Sequence, residues 1–324
     1  MGVERKQVSS WQNYRLVLKI LKRYATEGKN CNFMSNRYIR QLNIRLETAD
    51  SVMLERTEQI IDFLKQQGVA VQVAAGIQIL NAEIEVPEEI CKSISMKGIL
   101  WLTDSEHFAD KLAALQLPVI VWLHEGNRRS NFQNIRYAVE DPQELDGDFF
   151  DRVYRRYAGI PWDIAETARC LIRETTVEDA EAFAGIYEEP AITRYMDPFC
   201  SKVRMEREYV KEYMEKVYDF YGYGVWTVVY KETGEVIGRV GFGQEEIPAL
   251  GYMIALPWQG HGLAQEVCRA VLAFAKEELG FEQVQALIHE NNLPSIRVAE
   301  KIGFSRQQSL EEADSKNIRF TLKM

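Results

Sequence analysis

The 324-residue chain is short of several residue types whose patterns would point to familiar functions. Cysteine is scarce: Cys31, Cys91, Cys170, Cys200 and Cys268 are scattered, odd in number and without a Cys-x-x-Cys pair. That argues against a disulfide framework and against a zinc site. The four histidines, His107, His124, His261 and His289, give no metal spacing either, so no metal is expected. No apolar run approaches the ~20 residues that cross a bilayer. The N-terminal Met-Gly-Val-Glu-Arg-Lys has no apolar signal core, so reduced thiols in the cytoplasm are the expectation. Basic charge is also lacking: 39 Lys and Arg stand against 48 Asp and Glu, a net charge of −9. Most of the acidic excess lies in residues 169–324. That balance does not suit nucleic acid and would attract cationic amines.

What remains is an ordinary globular composition, 46% hydrophobic and 27% charged, with a length comfortable for two domains. Residues 11–27 and 48–67 read as amphipathic helices. Val69–Val73 and Ile77–Leu80 alternate around Gly76 and suggest a β-hairpin. No chemistry is legible in residues 1–95. From 96 to 165 the pattern is a small α/β, Rossmann-like unit. Its strands are Ile99–Thr103, Pro118–Leu123 and Arg136–Val139, with helices over 106–115 and 141–157 and a short parallel sheet. After the loop at Gly159–Trp162 the pattern changes. A strand at Cys170–Arg173 leads to a helix opened by Thr176 and Asp179, a capping-box variant. A second helix covers 205–218. Strands at 223–230 and 236–242 flank a turn at 231–234. The fold class expected is α/β (α+β).

The most informative stretch is Pro257-Trp-Gln-Gly-His-Gly-Leu-Ala264. It follows the apolar run Leu250–Leu256 and opens a helical pattern reaching about Leu279. A strand, a Gly-containing turn and a helix N-terminus together make an anion cradle: unpaired N–H groups point outward, and the helix dipole favours negative charge. It is neither a Walker loop nor a Gly-x-Gly-x-x-Gly dinucleotide fingerprint. About thirty residues on comes His289-Glu-Asn-Asn-Leu-Pro-Ser-Ile-Arg-Val-Ala-Glu-Lys-Ile-Gly-Phe304.

Together these segments resemble the GNAT superfamily of acyl-CoA-dependent N-acyltransferases, in its ribosomal-protein and small-amine branch. The first signature, Gln/Arg-x-x-Gly-x-Gly/Ala, reads Gln259, Gly262, Ala264. The second reads Asn292, Ser295, Lys301, Gly303, Phe304. The resemblance covers roughly 169–324. It implies a mixed twisted sheet with flanking helices over 166–324. It also implies acetyl-CoA as co-substrate, with the pyrophosphate on the N–H groups of Gln259, Gly260, His261, Gly262, Leu263 and Ala264. The pantetheine arm would lie beside the strand 250–256, with Tyr252, Met253 and Ile254 offering N–H groups to the thioester carbonyl. Asn292 would bind the pantetheine amide or cap the following helix. Ser295 is the implied acid for the leaving thiolate, and Tyr252 is its alternate. Where relatives place a glutamate two residues before the Gly-Tyr of this strand, the chain has Ala249, so the base falls to Glu246 or its neighbour Glu245.

The acceptor is expected between the early helices and the strand 223–230, in a lining of Tyr195, Met196, Phe199, Tyr221, Tyr223 and Trp226. A small-molecule amine and a protein N-terminus both stay open, as does a homodimer. A weakly active acyl-CoA sensor fused to a partner-binding module is the alternative. In the first half, Leu102-Thr-Asp-Ser105 is similar to the late acidic loop of haloacid-dehalogenase-type phosphatases. That family's aspartate nucleophile motif is absent, and Asp104 reads better as a helix N-terminal residue.

Overall fold

The computed structural model describes residues 38–47, 51–67, 69–73, 98–132, 135–195, 203–307 and 316–324. The chain divides into two compact units, Met1–Ile160 and Pro161–Met324.

In the first unit, β1 (Gln41–Arg45), β2 (Ala70–Val73), β3 (Ile99–Thr103), β4 (Val119–Trp122) and β5 (Tyr137–Val139) form one sheet ordered β2-β1-β3-β4-β5. Every pairing is parallel. Leu42, Ile44, Leu100, Leu102 and the run Val119–Trp122 are all fully buried, the signature of a sheet covered on both faces. The helices α1 (Ser51–Gln66), α2 (Glu106–Ala114) and α3 (Gly147–Tyr157) connect or follow these strands. Ser105 caps α2 by accepting from the Phe108 N–H, and Asp146 caps α3 by accepting from that of Phe149.

One expectation changes here. The division near residue 95 falls inside the sheet, because β1 pairs with both β2 and β3. Ala70–Val73 is a strand and pairs in parallel with β1; the second strand expected at 77–80 lies outside the described residues, as does the helix expected over 11–27. Asp104 is buried, with Oδ1 accepting the Glu47 N–H at 2.7 Å and Oδ2 standing 3.4 Å from His124 Nε2. It sits just ahead of the α2 cap, as a helix N-terminal residue would.

The second unit begins with β6 (Asp163–Glu166), β7 (Cys170–Arg173), α4 (Ala180–Tyr187) and α5 (Val203–Tyr213). Past α5 the helix runs on through a π turn, Met214–Tyr218. Strands β8 (Val225–Tyr230), β9 (Glu235–Phe242) and β10 (Leu250–Ile254) complete an antiparallel sheet ordered β10-β9-β8-β7-β6. Then come α6 (Leu263–Glu277), β11 (Gln283–His289), α7 (Leu293–Lys301), β12 (Ser305–Arg306) and β13 (Asn317–Lys323). The last three strands form a second sheet, β11-β13-β12. Among the described residues the two sheets are joined by a parallel bridge between Ala249 and Gln285, where the Gln285 N–H donates to Pro248 O at 3.0 Å. Beyond it β10 and β11 splay apart. That splay makes the site.

The expected capping box is present: Thr176 and Asp179 satisfy each other's backbone N–H groups. Asp179 also receives both Nη groups of Arg173 at 2.7 Å and the Thr227 hydroxyl at 2.9 Å. Burial pushes its carboxyl up, but these bonds outweigh burial and hold it below the ordinary 3.8. A carboxylate depressed in the folded state stabilises at neutral pH, and the contribution disappears as pH falls through the folded value. Asp179→Asn is therefore expected to lower the unfolding temperature at pH 7 and to flatten its decline below pH ~4. Thermal melts from pH 7 to pH 3 check this.

Candidate active site

The geometry begins with the free edge of β10. The Gly243 N–H donates to Ala249 O, and the Ala255 N–H to Ile237 O, both across to β9. In an antiparallel ladder such pairs alternate, so the odd-numbered residues between them also bond to β9. The backbone groups of Leu250, Tyr252 and Ile254 face the other way, into the splay. Met253 is thus corrected as a donor: its N–H belongs to the ladder, and its side chain is buried with Phe183, Tyr187 and Ile192. Ile254 O is taken by the Gln259 side-chain amide at 2.8 Å. Gln259 therefore acts through its side chain, tying the turn back onto the strand it follows, while its N–H, expected for the pyrophosphate, is taken by Leu256 O at 3.2 Å.

The turn itself is open. Gly260 and Gly262 have φ of 80° and 78°, a left-handed backbone that glycine adopts without strain. A Cβ on Gly260 would meet nothing within 4 Å, and one on Gly262 would approach only Arg169 Nη2, at 3.9 Å. Gly260, His261 and Gly262 are exposed, whereas Leu263 is buried and anchors the start of α6. None of the N–H groups of residues 260–265 has a protein partner among the described residues. The first internal bond of the helix start is Glu266 N–H to Gly262 O.

Arg169 braces this turn, a role the sequence pattern did not reveal. Its Nη1 donates to His261 O at 3.0 Å, and its Nε and Nη2 hold Glu266 Oε2 at 2.8 and 2.6 Å. Burial raises the Glu266 carboxyl, but bonds from Thr167 and Arg169 prevail and hold it below its ordinary value. The anion cradle is thus flanked by a compensated carboxylate and a half-exposed guanidinium. The His261 side chain makes no hydrogen bond, ion pair or ring contact among the described residues; only its carbonyl is used.

The splay encloses a cavity of about 310 Å³. One wall is Leu250–Met253; another is Ala286–His289; α7 supplies Asn292, Ser295, Val298, Ala299 and Ile302. Asn292 caps α7, its Oδ1 accepting the Ser295 N–H at 3.3 Å. Its Nδ2 bonds to none of the described residues. Across the cavity the Tyr252 hydroxyl donates to Ser295 Oγ at 3.2 Å. Residues far apart in sequence thereby become one hydroxyl pair. Burial pushes the Tyr252 phenol up to about 12, against the lowering effect of its bond to Ser295.

Glu246 is not part of this arrangement. It is exposed in the loop between β9 and β10 and does not line the cavity, nor does Glu245. A two- or three-residue offset in sequence does not carry a loop carboxylate past the rim of a strand-lined cavity. The expected acceptor lining is also largely corrected. Tyr195 lines the cavity, but Trp226 is wholly buried against Phe242 and Phe274, and Tyr223 packs on Phe281. Tyr221 lies beside Tyr223 and outside the lining. Met196 and Phe199 fall outside the described residues. Beside Tyr195 and Tyr252, the lining holds Tyr187, Tyr209 and Tyr213, joined by Arg239 and His289. Glu206, Tyr209, Val210 and Tyr213 recur at helical spacing on α5. Arg239 breaks an apolar strand. Both patterns are readable signals that a buried face carries more than packing.

Among the described residues no cluster of three metal-ligating side chains occurs, and no helix is long and apolar enough to cross a membrane.

Comparisons with known proteins fall on the same part of the chain. Residues 169–305 match the family described as the acetyltransferase (GNAT) domain. The chain is 34% identical over 149 residues to the protein YkkB of Bacillus subtilis strain 168, covering 44% of this chain and 86% of YkkB. It is 29% identical over 159 residues to the N-acetyltransferase YoaA of the same organism, covering 46% of this chain and 86% of YoaA. Among solved structures, a GNAT-family acetyltransferase from Bacillus anthracis aligns with 48% of this chain and 95% of its own, at 20% identity and a TM-score of 0.42. The haloacid-dehalogenase likeness of Leu102–Ser105 finds no such support. Through the domain carried by its second unit, the chain belongs to the GNAT acetyltransferases.

Proposed function

We propose that the second unit transfers the acetyl group of acetyl-CoA directly to a primary amine. The observation that carries this reading is the open row of N–H groups at 260–265, continuous with a free strand edge and a cavity. A diphosphate fits the row, because backbone N–H groups at a helix N-terminus bind anions without a side chain. The pantetheine arm would follow the β10 edge, with Asn292 Nδ2 available to an amide oxygen. The N–H groups of Tyr252 and Ile254 would hold the thioester carbonyl and stabilise the oxyanion that forms on it.

The amine nitrogen attacks the carbonyl carbon, the C–S bond breaks, and the thiolate takes a proton. Ser295 supplies it, with Tyr252 donating to Ser295 from behind. The amine's own proton has no carboxylate to receive it in the described lining. Burial also raises the phenols of Tyr187, Tyr209 and Tyr213, so none is a base at neutral pH. The amine must reach the thioester already neutral, or lose its proton to water. A covalent acetyl-cysteine is not invoked: Cys170 and Cys268 are buried, burial raises both thiols, and neither lines the cavity.

Calorimetry with acetyl-CoA, followed by thiol release across an amine panel, tests the reading on the full chain. Tight binding and turnover are expected; no binding overturns it. The missing carboxylate favours one second reading, an acyl-CoA sensor. Binding without turnover of any amine would select it.

Arg169 gives a sharper test of the anion cradle. Arg169→Met leaves Glu266 uncompensated beside the diphosphate. Acetyl-CoA affinity is expected to fall about tenfold, equivalent to ~1.4 kcal/mol. Arg169→Met combined with Glu266→Leu removes both charges and should recover most of that loss. Equal losses in the single and double variants would contradict the charge argument.

A further inference from the structure

The cavity contains a buried ion pair that the transfer chemistry does not use. Arg239 lies in the middle of β9, opposite Met253 in register. Its side chain is only 9% exposed, yet it lines the cavity. The guanidinium carbon sits 3.5 Å from the centroid of the Phe183 ring. One Nη donates to the Tyr187 hydroxyl at 2.9 Å, and the other donates to Glu206 Oε1. The remaining N–H groups of Arg239 have no partner among the described residues. Glu206 is fully buried, and its Oε2 is also unpartnered among them.

Burying two charges is costly unless their hydrogen-bonding capacity is filled. Here both partners keep spare capacity in a largely aromatic and apolar setting. Stacked on Phe183 and pinned through two nitrogens, the guanidinium cannot turn freely. Its remaining N–H groups suit the planar oxygen pair of a carboxylate, which a guanidinium binds bidentately. The surrounding lining, Tyr187, Tyr195, Tyr209, Val210 and Tyr213, is aromatic and apolar, and no described Asp or Glu lines the cavity. A polyamine or aminoglycoside would bring further ammonium groups into a lining that offers them no described carboxylate, since Glu206 lies behind Arg239 and does not line the cavity.

We propose that the acceptor is an amine with a carboxylate beside the reacting nitrogen, an α-amino acid with an apolar or aromatic side chain, and that Arg239 is its specificity-determining anchor. The proposal rests on the acetyl-transfer reading and narrows it. Arg239 and Met253 are paired across neighbouring strands, roughly 5 Å apart. A carboxylate anchored at Arg239 is thereby held in the cavity that Tyr252 of the thioester edge also lines, which suits an amine on the adjacent carbon.

The test is thiol release from acetyl-CoA by the full chain. Its substrates are the common amino acids, their decarboxylated counterparts (tyramine for tyrosine, phenethylamine for phenylalanine), their amides, and spermidine. At least one apolar or aromatic amino acid is expected to exceed its decarboxylated partner and its amide tenfold or more in kcat/KM. Arg239→Lys should raise KM for that amino acid at least tenfold and shrink the ratio. If that variant does not fold, the paired variant Arg239→Met with Glu206→Leu removes both charges together. It should bind acetyl-CoA and bring the ratio near one. The proposal is overturned if the decarboxylated amine, the amide or spermidine is the better substrate, or if folded Arg239 variants keep the ratio. It is overturned equally if acetyl-CoA binds and no amino acid is acetylated. Failure of acetyl-CoA to bind, seen separately by calorimetry, would instead sink the acetyl-transfer reading beneath it.

Discussion

Gly262→Val is expected to weaken acetyl-CoA binding at least ~100-fold, because strain and lost anion contacts act together. Gly262 holds φ of 78° at the position that starts α6. A left-handed backbone costs an L-residue about 1–2 kcal/mol, and a β-branched side chain makes it worse. The relaxed turn would re-aim the N–H groups of 260–265, and hydrogen bonds to a charged group are worth about 1.5–3 kcal/mol each. Gly234→Val is the matched control. Gly234 has φ of 73° in the β8–β9 turn, with open space where a Cβ would go. Its replacement carries the same strain and should lose comparable stability while leaving acetyl-CoA affinity within about twofold, since the strain sits away from the anion contacts. If both variants bind alike, Gly262 matters for folding and not for the cradle.

Removing the Tyr252 hydroxyl is expected to cost about 100-fold in kcat, the scale of one positioned proton donor. Tyr252→Phe keeps the ring and its packing, so acetyl-CoA affinity should hardly move. Ser295→Ala should cost a similar factor, and the double variant little more, because the two hydroxyls act as one unit. The Asn292 cap on the Ser295 N–H is backbone-directed and survives the change. The pH profile adds an independent readout. With the Tyr252 phenol pushed up to about 12, the donor stays protonated well above pH 9. The wild-type rate should climb as the acceptor amine deprotonates and then hold level through about pH 10, where an ordinary tyrosine of pKa ≈ 10 would already be losing its proton. Strictly additive losses, or a falling limb near pH 9, would contradict the pairing.

The parts of this site legible in the sequence are those where the backbone itself does the work. A left-handed turn before a helix needs glycine, so Gly260 and Gly262 announce it. A helix start needs a cap, so Asn292 does too. Side chains that meet across strands leave no such trace. The Tyr252–Ser295 contact and the Arg169–Glu266 brace depend on tertiary closure between segments distant in the chain. Glu246 misled because nearness in sequence to a catalytic strand says nothing about which side of the rim a loop falls. In the first unit, alternation at Val69–Val73 marked a strand correctly but could not name its partner. Parallel pairing with β1 is a non-local choice that alternation within one strand does not encode. Arg239 was readable in principle. A charge inside an apolar strand needs a buried partner, but nothing local says that Glu206 on a distant helix supplies it.

The most direct measurement is an amide proton–nitrogen NMR titration of the full chain with acetyl-CoA. The account predicts that the amides of Gly260, His261, Gly262, Leu263, Ala264 and Gln265 show the largest downfield shifts, as their free N–H groups take the diphosphate. Saturable binding that leaves those six amides unmoved, with the shifts elsewhere, would contradict it.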